Sequence, residues 1–259
     1  MRVVIKIGTS SLAHATGRLN IRRTQKLCEV ISDLKNAGNE IILVSSGAIG
    51  MGVGKLSLPG RPTDMPTKQA AAAIGQCELM YTYDRLFSQY NHTVAQVLIT
   101  GEDVTAPSRA AHFQNTMTRL LELGAIPIIN ENDTVATDEI LMIGENDTLS
   151  AIVAAGMKAD LLIILSDIDG LFDSDPRANP SAKLIKEVRE LTPEIVSLAG
   201  GKGSDLGTGG MSTKLKAARV AMDAGVDMVI ANSSDPMILY DILDGAPIGT
   251  RFYGKRLSR

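Results

Sequence analysis

The run Gly207-Thr208-Gly209-Gly210-Met211-Ser212-Thr213-Lys214, with Gly203 just before it, has residue types suited to holding a phosphate. Glycines accept positive φ and let backbone N–H groups approach a ligand with no Cβ in the way. The pattern that follows, Leu215-Lys216-Ala217-Ala218-Arg219-Val220-Ala221-Met222, reads as a helix. Its first turn would add unpaired N–H groups and a partial positive charge, both favourable to an anion. The hydroxyls of Thr208, Ser212 and Thr213 and the ammonium of Lys214 would complete the cradle. The run is not a Walker A loop, because Lys214 follows Thr213 and not glycine. Nor is it GxGxxG, because Ser212 stands at the third glycine's place. A surface loop ending in a helix cap would use the same residues.

Five further clusters carry chemistry. Lys6 interrupts the apolar run Val3-Val4-Ile5-Lys6-Ile7, where an unpaired ammonium would be costly to bury. It either guards an edge strand or faces an anion, and Gly8 two residues on favours the anion. Ser46-Gly47-Ala48 follows a buried run and could form a nest of N–H groups, or a plain helix cap. Asn130-Glu131-Asn132-Asp133 and Gly144-Glu145-Asn146-Asp147 are dense in carboxylates, suited to an ammonium or to Mg2+ through water. For Asn146 and Asp147, capping of the following helix is the other reading. Ser166-Asp167 closes a very apolar run, Leu161 to Leu165.

These clusters need elements to bring them together. Apolar β-branched runs at 3–7, 41–44, 94–99, 126–129 and 161–165 alternate with helical periodicity at 21–37, 68–90, 110–123 and 147–157. A final helix–strand–helix pattern covers 211–224, 226–231 and 237–243. That alternation predicts βαβ units on a mainly parallel sheet covered on both faces. Ligands of such sheets gather beyond the carboxyl ends of the strands, where Lys6 with 8–11, 45–47, 130–133, Ser166-Asp167 and the glycine run fall. Residues 8–11 read as a loop. Segment 50–66 reads as a lid, a subunit contact or a solvent loop. No linker, repeat or low-complexity tract divides the chain, so one domain over 1–259 is expected.

Composition narrows the class of function. Apolar residues make up 44% and charged residues 21% of 259, ordinary values for a globular enzyme. A net charge of −3 without a basic run, no Trp and only 3% aromatics argue against a nucleic-acid surface. Cys28 and Cys77 stand far apart and read as buried thiols, and His14, His92 and His112 lack metal-ligand spacing. No run approaches a membrane span or signal peptide, so a cytoplasmic protein is expected.

Taken together, Val4-Ile5-Lys6-Ile7-Gly8-Thr9-Ser10, Val44-Ser45-Ser46-Gly47-Ala48-Ile49, Ile129-Asn130-Glu131-Asn132-Asp133, Gly144-Glu145-Asn146-Asp147, Asp173-Ser174-Asp175-Pro176-Arg177 and 207–214 resemble the amino acid kinase family. The likeness covers nearly the whole chain and is nearest to the glutamate-phosphorylating branch. It implies a three-layer αβα sandwich with ATP and L-glutamate side by side over the strand ends. Lys6 and Lys214 would act on the phosphates as catalytic residues. Ser166, Asp167, Thr208, Gly209, Gly210, Met211, Ser212, Thr213 and Lys214 would line the ATP site together with Lys6. Ser46, Asp133 and Asn146 would bind glutamate, with Gly8, Gly47 and Asp147 in support. The 146–147 pair would join Asp133 in orienting the α-ammonium.

The implied reaction gives L-glutamyl 5-phosphate, the first step of proline biosynthesis. Mg2+ would be held by ATP phosphates and water, with no direct protein ligand. The resemblance also implies a homo-oligomer (dimer or tetramer), feedback by L-proline and a glutamyl phosphate reductase as partner. Glu145 replaces a shorter Asp frequent in the family. The chain stops soon after Thr250-Arg251-Phe252, and the PUA domain of many bacterial members is expected to be absent. Other family members, acting on acetylglutamate, aspartate, carbamate or UMP, share the fold and both lysines. A non-catalytic nucleotide-binding protein on this fold is a further reading.

Overall fold

The computed structural model describes residues 1–14, 18–135, 146–198 and 210–255. In chain order the elements are β1 (Arg2–Ile7), α1 (Thr9–Leu12), α2 (Ile21–Asn36), β2 (Glu40–Ser45), α3 (Ala48–Lys55) and α4 (Met65–Phe87). Then come β3 (Val94–Ile99), α5 (Gly101–Thr105), α6 (Pro107–Glu122), β4 (Ile126–Glu131), α7 (Asn146–Gly156) and β5 (Leu161–Ser166). The last are β6 (Glu187–Val188), α8 (Pro193–Ser197), α9 (Met211–Asp223), β7 (Asp227–Asn232), α10 (Ile238–Leu243) and β8 (Thr250–Phe252).

The strands form one sheet in the order β3-β4-β2-β1-β5-β7-β8-β6. All neighbours are parallel except β7 and β8, which run antiparallel. Because side chains alternate along a strand, each central strand feeds two cores. Val3, Ile5, Ile7, Ile41 and Leu43 pack with buried residues of α2, α4 and α10. Val4, Ile42, Val44, Leu162 and Ile164 pack with those of α6, α7 and α9 on the other side. The result is a three-layer αβα sandwich, as the resemblance implies. No described helix is long and apolar enough to cross a membrane.

Two consequences bear on the site. β1 lies between β2 and β5, so Lys6 is no edge guard. By alternation Lys6 shares the face of Val4, which turns its ammonium toward α7 and α9. The expected loop at 8–11 instead winds into one helical turn, α1, directly after β1.

Segment 50–66 also departs from a plain loop, since its first part belongs to α3. Its Gly52 serves packing. A Cβ on Gly52 would lie 1.8 Å from the Ala71 carbonyl oxygen, and one on Gly75 would lie 1.7 Å from that of Ala48. α3 and α4 therefore meet backbone to backbone, which only glycine permits. Asp64 caps α4 by accepting from the Thr67 N–H at 2.9 Å. Cys28 is buried, but Cys77 is exposed on the outer side of α4, contrary to the sequence reading of two buried thiols. The short elements α5, β6 and β8 escape sequence reading because none carries a full apolar run.

Candidate active site

Strand register places the polar clusters side by side. Ile7 pairs with Ser45 on one flank and with Leu165 on the other, and Val44 pairs with Ile129. Gly8, Ser46, Ser166 and Asn130 therefore follow neighbouring strand ends. The first turns of α7 and α9 close over them from the Lys6 side of the sheet.

Asp147, on the first turn of α7, is 1% exposed at its side chain and holds two lysines at once. Lys6 Nζ lies 2.6 Å from Oδ1, and Lys214 Nζ lies 3.2 Å from Oδ2. The Thr213 hydroxyl is 3.0 Å from the same Oδ2. Burial pushes the Asp147 carboxyl upward, but the charges of Lys6 and Lys214 outweigh it and leave the group below its ordinary value. Two ammonium groups converge on one carboxylate in a nearly closed environment. Asp147 thus faces the lysines, whereas the sequence reading turned it with Asn146 toward a substrate ammonium.

Gly8 adjoins the lysine pair. Its backbone is extended, with φ −79°, so the conformation does not demand glycine. A Cβ there would stand 3.5 Å from Lys6 Nζ, in contact with the ammonium. Gly47 differs: its φ of +108° is left-handed and favours glycine, and it caps α3. The preceding Ser46 N–H donates to the Ile7 carbonyl at 3.0 Å, tying this turn to β1.

Beside the lysines lies a chain of amides. Asn146 Nδ2 donates to Ser46 Oγ at 2.8 Å and to Asn130 Oδ1 at 2.9 Å. Asn130 Nδ2 donates in turn to Gln76 Oε1 at 3.0 Å. Behind Ser46, the fully buried Tyr83 shares a 2.9 Å hydrogen bond with Ser45 Oγ. Asp133 follows β4, and its carboxyl is raised by burial, partly offset by the nearby charge of Arg61. Glu131 is raised too, by burial and then by Asp133. Arg61 comes from segment 50–66 and gives that loop a place near the site.

On the other flank Ser166 is buried at the end of β5, its Oγ 3.2 Å from Asp167 Oδ1. Gly210 caps α9, Met211 packs partly on the core and Ser212 is exposed. Thr208 and Gly209 lie outside the described residues, as do Gly203, Gly207, Gly144 and Glu145.

Comparison with known proteins fits this geometry. The model of the amino acid kinase family matches residues 1–232. The chain belongs to the amino acid kinase family. A glutamate 5-kinase of Clostridium perfringens is 54% identical over 98% of this chain and 96% of its own length. One from Listeria monocytogenes is 51% identical, covering 98% and 94%. Among solved structures, a carbamate kinase from Giardia lamblia bound to AMP-PNP superposes with a TM-score of 0.70 at 17% identity, covering 98% of both chains.

For an amino acid kinase, the chemistry at issue is phosphoryl transfer. Charge spreads over the transferred group, and preorganised cations must meet it. Sequence reasoning found both lysines but missed Gln76, Tyr83 and Arg61. Gln76 and Tyr83 sit within a long helical pattern, where nothing in residue spacing marks a buried polar side chain as part of a site. Arg61 lies in a segment with little periodicity to place it.

Proposed function

We infer that the chain transfers the γ-phosphoryl group of ATP to the side-chain carboxylate of L-glutamate, giving ADP and L-glutamyl 5-phosphate. The identities to glutamate 5-kinases over almost the full chain support this substrate. The observation that carries the chemistry is the pair of ammonium groups held on one carboxylate at 2.6 and 3.2 Å. The acceptor carboxylate, with a pKa of ~4.3, is already ionised at neutral pH, so no general base is needed. What opposes reaction is repulsion between two anions. Lys6 and Lys214 offset it.

Ser46, Asn146 and Asp133 orient glutamate, with a carboxylate for its α-ammonium. Ser166, Asp167 and 208–214 line the nucleotide. Among the described residues no three His, Cys, Asp or Glu side chains cluster as metal ligands, and Asp147 is committed to the lysines. In the same reading Mg2+ would be held by the ATP phosphates and water and would offset their charge. In this reading the protein works in the cytoplasm at the first step of proline synthesis, as a homo-oligomer open to inhibition by L-proline. Its product is acyl phosphate chemistry for a reductase to consume.

A coupled ADP-release assay tests the reaction, with glutamate set against acetylglutamate, aspartate, carbamate and UMP. Turnover with glutamate alone is expected, and preference for any other acceptor would refute the assignment. The glutamate half of the site gives a second test. Because burial raises the Asp133 carboxyl, it gains a proton at a higher pH than the ordinary ~3.9. Its hold on an ammonium is present above that raised value and lost as pH falls through it. The acid limb of kcat/KM for glutamate should therefore shift to higher pH than an ordinary Asp would give. Asp133→Ala should raise the KM for glutamate while leaving that for ATP unchanged. An unaltered glutamate KM would remove Asp133 from the substrate site.

A further inference from the structure

Gln76 ends the amide chain, and phosphoryl transfer leaves it without a task. It sits on α4, 6% exposed, with its Oε1 accepting from Asn130. Its Nε2 is buried and makes no hydrogen bond among the described residues. A buried donor without a partner is costly. If helix packing were all that position required, Met or Leu would fill it without that cost.

The order of donors and acceptors shows what the amide could be for. Asn146 Nδ2 faces the Ser45 carbonyl at 3.4 Å as well as Ser46 Oγ and Asn130 Oδ1. A carbonyl oxygen can only accept, so the Ser45 end requires the NH2 of Asn146. Reversing Asn130 would set its NH2 against that of Asn146. Reversing Gln76 would set its NH2 against that of Asn130. One polarity satisfies every link, and it leaves Asn146 Oδ1 outside the chain as an acceptor.

We propose that Gln76 is a positioning residue: by accepting from Asn130 it fixes, through Asn130, the amide orientation of Asn146, so that Oδ1 stays available to the α-ammonium of the substrate. The proposal rests on the glutamate reading above. It makes Gln76 a determinant of glutamate affinity that touches neither substrate.

Gln76→Met keeps volume and helix propensity but removes the acceptor. It should raise the KM for glutamate by about tenfold, with the KM for ATP unchanged. Gln76→Asn, too short to reach Asn130, should do the same and serves if the Met variant folds poorly. Gln76→Glu accepts whether ionised or protonated and should recover most of the lost affinity. In an Asn146→Ala background, Gln76→Met should add nothing further to the glutamate KM, since the two act as one unit. Independent, additive effects of the two substitutions would overturn the proposal, as would equal changes in both substrate constants. Failure of the wild-type chain to turn over glutamate would overturn the underlying reading as well. Normal wild-type turnover with an unchanged glutamate KM in both loss variants overturns this inference alone.

Discussion

Lys214→Ala and Lys6→Ala should each lower kcat by about two to three orders of magnitude, the loss typical of removing one preorganised charge donor. Both variants should stay folded. Lys6 and Lys214 share the buried Asp147 carboxylate, and removing either lysine leaves the other paired with it. That differs from most buried ion pairs, where losing one partner strands the other. Because the lysines act on charge that develops during transfer, kcat and kcat/KM should fall together while the glutamate KM changes little. Steady-state kinetics alongside thermal unfolding separate the two effects. Near-wild-type turnover in either variant would remove that lysine from the chemistry, and a collapse of Tm would contradict the charge argument.

The parts legible in the sequence were those that follow from strand periodicity. Lys6 stands out because it breaks an apolar run, and alternation fixes the face it shares with Val4. The carboxyl ends of parallel strands locate Ser46, Asn130 and Ser166 without any contact being known. What stayed hidden depends on the direction of single side chains. Asn146 and Asp147 read as one polar pair, yet successive residues of a helix point about 100° apart. Asn146 therefore turns to Ser46 and Asn130, while Asp147 turns to two lysines, one of them 67 positions away. The glycines of segment 50–66 misled in a similar way. They read as loop formers, but Gly52 answers a close backbone approach from α4 that local sequence does not encode.

Asp147→Asn tests whether that carboxylate organises the site. The substitution keeps the shape but removes the carboxylate that Lys6 and Lys214 share, in a region where Asp147 itself is 1% exposed. Breaking a buried pair in this way costs about 3–5 kcal/mol, so a large fall in Tm is expected. The sign of the pH dependence follows from the depressed carboxyl. In the unfolded chain Asp147 titrates near the ordinary ~3.9. Its contribution to stability is therefore complete above that value and is lost as pH falls through the lower folded value. The stability gap between wild type and Asp147→Asn should be full at neutral pH and close in acid. A bound polyanion can replace the missing counter-charge, so ADP should raise the Tm of the variant by more than it raises that of the wild type. Nucleotide would then steady the fold without restoring rate, since the lysines would meet the phosphates with nothing to hold them in register. A variant as stable as wild type at neutral pH, with the same response to ADP, would show that the two ammonium groups do not depend on Asp147 for their placement.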